Sequence, residues 1–128
     1  MTNERLNAIG GIILDAAITV HKELGPGLLE SAYQVALKRE LELRNLVVKA
    51  RVPVELIYKK IPLGKAYEID LLVENEIIIE NKACDHVNPI FHAQVITYLK
   101  LYDRKLGYLI NFNVTLLKDG FKRIVYKF

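Results

Sequence analysis

Hydrophobic residues recur every three or four positions in three stretches of the chain, and this spacing predicts three amphipathic helices. The first is expected over residues 6–24, because the glycine-proline-glycine sequence at 25–27 would end it. The second is expected over residues 28–45 and the third over residues 89–104. The residues expected to face inward from the second and third helices are Ala32, Tyr33, Ala36, Leu37, Leu41, Phe91, Val95, Tyr98, Leu99 and Tyr102.

Runs of β-branched and aromatic residues predict the strands. Residues 47–58 are expected to form a long strand, and Pro53 within it implies an edge position or a bulge. Residues 59–65 contain a proline and a glycine and are expected to form a turn. A hairpin is expected over residues 66–83, because two apolar runs flank the polar residues 74–76. The remaining strands are expected over residues 105–112 and 121–126, with a turn at Asp119-Gly120 between them.

The resulting order of elements is α-α-β-β-β-α-β-β, which indicates an α/β chain of the α+β type with a mixed central sheet flanked by helices. The chain has 128 residues and shows no linker, repeat or low-complexity segment, so residues 1–128 are expected to form one domain. A little over half of the residues are hydrophobic and about a quarter are charged, which is typical of a globular protein.

Charge and cysteine content limit the possible partners and compartments. The formal net charge is +3, and lysines and arginines are scattered among acidic residues, so a nucleic-acid partner is permitted but not indicated by charge alone. Cys84 is the single cysteine, which excludes an intrachain disulfide and favours a reducing, cytoplasmic compartment. No secretory signal and no membrane span are recognisable in the sequence, so no membrane partner is expected.

The hairpin over residues 66–83 is the stretch with the most chemical potential. Side chains alternate along a strand, so Asp70 is expected to share a face with Leu72, opposite Ile69, Leu71 and Val73. In the second strand of the hairpin, the residues expected on one face are Ile78, Glu80 and Lys82, and those on the other are Ile77, Ile79 and Asn81.

A turn centred on Asn75 would place Asp70 directly across from Glu80, with Cβ atoms roughly 4.5–5.5 Å apart. Two carboxylates at that separation repel one another unless a cation lies between them. Lys82 would add an ammonium group beside them. The pattern therefore predicts a site for a hard cation, and the alternative is a solvated sheet face with a cross-strand lysine–glutamate pair.

Three helical residues are further candidates. Glu30 lies in the first turn of the second helix, where it either stabilises the helix dipole or is directed at the same cation. Gln94 and Tyr98 are four positions apart on the third helix and share a face. Tyr98 is either a core residue or a site residue, whereas Gln94 carries an amide that needs partners and could orient a phosphate or a water.

Residues 27–33 read G-x-x-E-x-x-Y, and the segments I-D-L-L-V-E, I-I-I-E-N-K-A and Q-V-I-T-Y-L follow along the chain. Together these motifs resemble the GxxExxY protein family, which by its pattern is part of the PD-(D/E)XK phosphodiesterase superfamily. The resemblance extends from about Ile9 to Val125, and it implies a restriction-endonuclease-like core with the order αβββαβ.

The resemblance implies roles for individual residues. Asp70 corresponds to the first acid of the motif, and Glu80 and Lys82 to its (D/E)-x-K. Glu30 corresponds to the helical acid, and the Q-x-x-x-Y pair is Gln94 and Tyr98. Two positions depart from the pattern: Glu68 stands where an arginine is common, and Asn81 stands where the residue is usually apolar. By alternation, Glu68 is expected to add negative charge beside Asp70.

The function implied is a metal-dependent nuclease acting on nucleic acid, with DNA the favoured substrate. Mg²⁺, or Mn²⁺ as a substitute, would activate a water, and Lys82 would stabilise charge on the phosphate. The expected metal ligands are Asp70, Glu80, the carbonyl of Asn81, and Glu30. The residues expected to contact the substrate are Lys49, Arg51 and Lys59.

Two alternatives remain open at this point. The first is a catalytically inactive binding or scaffold module, which Glu68 and the modest net charge favour. The second is an oligomeric interaction protein, a homo-oligomer for instance, that uses the broad apolar stripe of the first helix.

Overall fold

The chain forms three α-helices and five strands, in the order that the hydrophobic pattern predicts. The computed structural model describes all residues from 1 to 128. The helices are α1 (Asn3–Leu24), α2 (Glu30–Leu43) and α3 (Pro89–Tyr102), and a short 3₁₀ turn spans Leu117–Gly120. The strands are β1 (Val48–Tyr58), β2 (Ile61–Val73), β3 (Ile77–Lys82), β4 (Leu106–Asn111) and β5 (Phe121–Val125).

The five strands form one mixed sheet in the order β1-β2-β3-β4-β5. All neighbours are antiparallel except β3 and β4, which are parallel and are connected by α3. β3 is the central strand and is covered on both faces, which explains its continuous apolar run. The predicted fold class, α+β with a mixed central sheet flanked by helices, is confirmed.

The two faces of the sheet support two separate hydrophobic cores. α1 and α2 cover one face and form a cluster of 20 buried residues, to which Ile77 and Ile79 contribute. α3 covers the other face and forms a cluster of 8 buried residues, to which Ile78 contributes. The predicted alternation along β3 is therefore confirmed. Neither these helices nor any other has the combination of length and apolar content needed to cross a membrane.

The alternation predicted for β2 is wrong at Ile69. This residue packs with Leu72 in the cluster under α3, whereas Leu71 packs in the cluster under α1 and α2. The interruption lies opposite Arg51 on the neighbouring strand, which has a left-handed backbone with φ of 55°. The ladder between β1 and β2 correspondingly omits Arg51 and Asp70.

The turn predicted over residues 59–65 is also wrong in extent. Only Lys59 and Lys60 form the turn, and both have positive φ, 51° and 67°. The following residues continue β2 as partners of β1, despite Pro62 and Gly64. Pro62 is tolerated because β3 does not extend to this part of β2, so no ladder hydrogen bond is lost on that side.

The helices lie within about three residues of their predicted bounds, α2 and α3 each ending two residues early, and their inward faces agree with the prediction at all but one position. α1 stops at Gly25, whose φ of 70° breaks the helical conformation. On α2 the predicted inward residues Tyr33, Leu37 and Leu41 are buried. Ala32 is exposed, so its predicted inward position is wrong, because it lies at the edge of the buried stripe.

Candidate active site

β2 and β3 separate at Asp70. Leu71–Ile79 is the last pair of the ladder, and the same register continued by one residue places Asp70 opposite Glu80. At that point the Oδ2 atom of Asp70 accepts a hydrogen bond of 2.9 Å from the backbone N–H of Asn81. The Asp70 carboxylate therefore takes the place of a backbone partner and is held at the carboxyl-terminal end of β3.

Gln34 holds the backbone of β2 at the same position. Its side-chain amide donates a hydrogen bond of 3.3 Å to the carbonyl oxygen of Asp70. Gln34 lies on α2 one turn after Glu30, so this contact ties the beginning of that helix to the acid-bearing part of the strand.

The Glu80 carboxyl group is buried, with only 7% of the residue exposed. Burial raises the pKa of Glu80, and a hydrogen bond with Asp70 and the charge of Asp70 raise it further, while the charge of Lys82 opposes the change. A buried carboxylate beside a second carboxylate is costly unless a proton or a cation compensates it.

Glu30 extends the acidic environment but does not complete a ligand cage. It is exposed at the beginning of α2, where partial burial and the charge of Asp70 raise its pKa and the charge of Lys82 lowers it. No three or more Asp, Glu, His and Cys side chains lie close enough together to hold a metal ion directly. The acids that the sheet brings together are therefore two, half-buried Asp70 and buried Glu80, and the charge of Glu30 contributes to the raised pKa of Glu80.

Lys82 is positioned by the beginning of α3. Its Nζ atom lies 4.3 Å from the centre of the Phe91 ring, a cation–π distance. The backbone that follows is fixed by Asn111 on β4, which accepts a hydrogen bond of 3.1 Å from the N–H of Cys84 and donates one of 2.9 Å to its carbonyl oxygen. The strand therefore continues in a defined direction beyond the lysine.

Asn81 lies between the acid and the lysine of the motif, and its side chain is fully buried. Neither the amide nitrogen nor the amide oxygen of this side chain has a hydrogen-bond partner. A buried amide without partners typically costs about 1–3 kcal/mol. The departure seen in the sequence at this position therefore remains energetically uncompensated within the chain.

Tyr98 reaches the site from α3, whereas no contact joins the side chain of Gln94 to the acids or to Lys82. Burial raises the pKa of Tyr98, and the charges of Glu80 and Asp70 raise it further. The Tyr98 ring stacks on Tyr67 of β2, with ring centres 3.7 Å apart, and the Tyr67 hydroxyl donates a hydrogen bond of 2.9 Å to the Tyr98 carbonyl oxygen. Gln94 is half-buried one turn earlier and makes no hydrogen bond.

Sequence reasoning missed Tyr67 and Gln34. Gln34 could have been found, because it is four positions after Glu30 and therefore on the same helix face. Tyr67 could not, because simple alternation places it on the face opposite Asp70, and the interruption beside Arg51 is not encoded in the hydrophobic pattern.

The predicted substrate-contacting residues do not join the carboxylates. Lys49 and Lys59 are exposed on the β1–β2 hairpin, and Arg51 forms an ion pair of 3.4 Å with Glu68. Lys65 is the second partner of Glu68 at 3.3 Å, and these two cations lower the pKa of the Glu68 carboxyl group, Lys65 more strongly. Glu68 is not among the groups that shift the pKa of Glu80, so the expectation that it adds charge there is not met.

The chain matches one family model, that of the PD-(D/E)XK nuclease superfamily, over residues 7–124. No curated protein and no solved structure matches it. The matched span contains Glu30, Asp70, Glu80 and Lys82. It supports the superfamily, while the narrower GxxExxY family remains a resemblance of motifs.

Proposed function

The chain belongs to the PD-(D/E)XK nuclease superfamily, and we propose that it is a metal-dependent phosphodiesterase that cleaves nucleic acid, with DNA as its substrate. The observation that carries this proposal is the position of two acids at the end of β3, Asp70 and buried Glu80, beside the amine of Lys82. A core gains nothing from this arrangement, because the acids destabilise one another and their burial is unfavourable.

The donor set fits a magnesium ion. The carboxylates of Asp70 and Glu80 and the carbonyl oxygen of Asn81 are hard oxygen donors, which Mg²⁺ prefers, and Mn²⁺ can substitute. Glu30 would contribute through a water, in keeping with its exposure. The ion would supply a lowered pKa for a bound water and polarisation of the scissile phosphate.

The other side chains act on the phosphate and on the attacking water. Lys82, fixed against Phe91, donates a hydrogen bond to a non-bridging phosphate oxygen or holds the water in line. Gln94, half-buried one turn before Tyr98, carries an amide that would donate to a phosphate bound along α3. Tyr98 keeps its proton over a wide pH range because of its raised pKa, so its hydroxyl remains a donor.

The experiment that tests this proposal compares Lys82→Ala with Lys118→Ala, an exposed lysine on the 3₁₀ turn. Each protein is incubated with linear, circular and single-stranded DNA and with RNA, in Mg²⁺, Mn²⁺ or EDTA. We expect the unaltered chain and the control to cleave DNA only with metal. Lys82→Ala should lose about 100-fold or more in rate while keeping the same melting temperature. Equal cleavage by Lys82→Ala would contradict the assignment.

A second candidate function is a binding module without turnover. It is favoured by the limited ligand set, in which only two carboxylates are grouped. The same experiment separates the two functions. A chain that binds Mg²⁺ and DNA but cleaves neither DNA nor RNA would be a binding module.

A further inference from the structure

The outer half of the β1–β2 hairpin extends away from both cores. Residues 55–66, here called the β-arm, are all exposed, and they pair only with one another. β3 pairs with β2 only at residues 71–73, so the β-arm is a two-stranded ribbon. At about 3.4 Å per residue, its strands extend about 15 Å beyond the last packed positions. Those positions are Val54 and Tyr67, which pack under α3.

The β-arm carries apolar side chains that no part of the chain covers. They are between 37% and 58% exposed, and they are Leu56, Ile57, Tyr58, Ile61 and Leu63. A lone two-stranded hairpin is only marginally stable in water, and an apolar ribbon with a free edge favours unwanted association. Exposed apolar side chains grouped in this way indicate a partner.

The tip of the β-arm has charged residues at turn positions where other residues would be more stable. Tyr58 pairs with Ile61, so Lys59 and Lys60 are the two central residues of the turn, and both have positive φ. A two-residue turn with two positive φ values strongly favours Asn-Gly. Lysine at both positions costs conformational energy and places two ammonium groups at the most distant point of the ribbon.

Much of the net charge of the chain lies in this hairpin. Residues 48–73 contain five basic and three acidic residues, a net charge of +2 out of the +3 of the whole chain, and residues 48–66, which stop before Glu68 and Asp70, carry +4. Glu68 pairs with two of the five, Arg51 and Lys65. Lys49, Lys59 and Lys60 form no ion pair and remain available to an anionic partner.

We propose that the β-arm binds duplex DNA, seated in the major groove, with Lys59 and Lys60 at the phosphates. This inference rests on the proposed function and adds the substrate form. The major groove of B-form DNA admits a two-stranded ribbon, and apolar side chains can contact thymine methyl groups there. The major groove of duplex RNA is too narrow, so the β-arm favours DNA. Tyr67, at the base of the β-arm, stacks on Tyr98 of the candidate active site and so connects the β-arm to the region of the acids.

The test measures binding in EDTA, where metal-dependent cleavage is absent, by fluorescence anisotropy between 50 and 200 mM salt. The variant Lys59→Asn/Lys60→Gly installs the favoured turn and removes two charges. We expect at least about tenfold weaker binding of duplex DNA and a slope of log affinity against log salt that is smaller by about 2, since each phosphate contact contributes about 0.9. The melting temperature should be unchanged or higher.

The matched control is Lys22→Gln/Lys118→Gln, which removes the same charge from exposed positions on α1 and the 3₁₀ turn. We expect its affinity to stay within twofold of the unaltered chain. Binding of duplex RNA should be at least about tenfold weaker than binding of duplex DNA. Equal loss in both double variants, or none in the β-arm variant, would overturn the proposal, as would equal affinity for the two duplexes.

Sedimentation of the same proteins tests whether the β-arm instead binds a second copy of the chain. If Ile57→Ser/Ile61→Ser dissociates a dimer and leaves DNA affinity unchanged, the β-arm is an interface between copies and the proposal fails. The β-arm proposal and the nuclease proposal can fail independently. If the turn variant keeps full DNA affinity and still cleaves DNA, only the β-arm proposal fails. If the chain binds DNA through the β-arm but cleaves no substrate, only the nuclease proposal fails.

Discussion

The two hairpins that share β2, an inner part and an outer part of the sheet, use charge in opposite ways. The inner part, residues 69–82, is mostly buried apart from its turn at residues 74–76, and it holds two acids and a lysine at its end. The outer part, the β-arm of residues 55–66, is exposed throughout and has lysines at its tip. Both parts are formed by adjoining strands of one sheet, so the difference lies in what covers them.

The difference in burial determines how strongly the charges of each part require a compensating ligand. A buried carboxylate next to a second carboxylate is costly without a compensating charge, so under the proposed function the inner acids should hold their ion tightly. Exposed lysines cost little and are screened by salt, so they imply a polyanion that is bound loosely and in a salt-dependent way. Changes in the inner part should therefore have large effects that salt hardly alters, and changes in the β-arm smaller ones that salt reduces.

The largest effect is expected from the inner acids. Asp70→Asn and Glu80→Gln each remove a carboxylate ligand without changing side-chain size, and we expect calorimetry to show no Mg²⁺ or Mn²⁺ binding by either variant. The matched control is Glu68→Gln, two residues from Asp70 on the same strand but paired with Arg51 and Lys65. It should bind metal as the unaltered chain does. If Glu80→Gln still bound metal, the inner acids would not be the metal site, and the contrast between the inner part and the β-arm would no longer hold.

A pH-dependent effect of intermediate size is expected from the same acids. The pKa of Glu80 is raised in the folded chain, so the folded state holds a proton that the unfolded state has lost. In EDTA, stability should therefore fall as pH rises from about 5 towards the folded pKa, by at most about 1.4 kcal/mol per pH unit for one proton. Thermal melts between pH 5 and 8 measure this slope. Glu80→Gln should flatten it, and an unchanged slope in that variant would exclude Glu80 as its source.

The smallest effect is expected from the unpartnered amide. Asn81→Val keeps the backbone carbonyl and removes two buried polar atoms that have no partner. We expect the free energy of unfolding to rise by about 1–3 kcal/mol, with metal binding retained. Chemical denaturation measures the change, and Thr115→Val, at an exposed position without a positive φ, controls for the introduced valine. A loss of stability in Asn81→Val would indicate that the amide has a partner in solution.

The elements of the fold could be predicted from the sequence because each depends on a local period. The three helices and five strands follow from spacings of three to four and of two. The face of Ile69 could not be predicted, since the interruption of the alternation lies opposite a left-handed backbone at Arg51, in another strand. The extent of the turn at residues 59–65 could not either, because lysines occupy a turn that normally requires asparagine and glycine.

The candidate site was predictable to the extent that one hairpin defines it. The register across residues 74–76 places Asp70 opposite Glu80, and the motif places Lys82 two positions later. Tyr67 required packing between β2 and α3, which periodicity does not contain. The sequence contains the basic residues of positions 48–66, but acids elsewhere in the chain offset their charge in the total. Their grouping becomes evident only because the structure shows that the outer part of this hairpin extends away from both cores.

The most direct test of the inner site is a crystal structure of the chain grown with Mn²⁺ and recorded at a wavelength where manganese scatters anomalously. We expect one anomalous peak in contact with a carboxylate oxygen of Asp70 and one of Glu80, at about 2.0–2.2 Å from each, with the amine of Lys82 alongside. A peak bound elsewhere, or carboxylates that face separate regions of solvent, would contradict the metal site and with it the proposed nuclease.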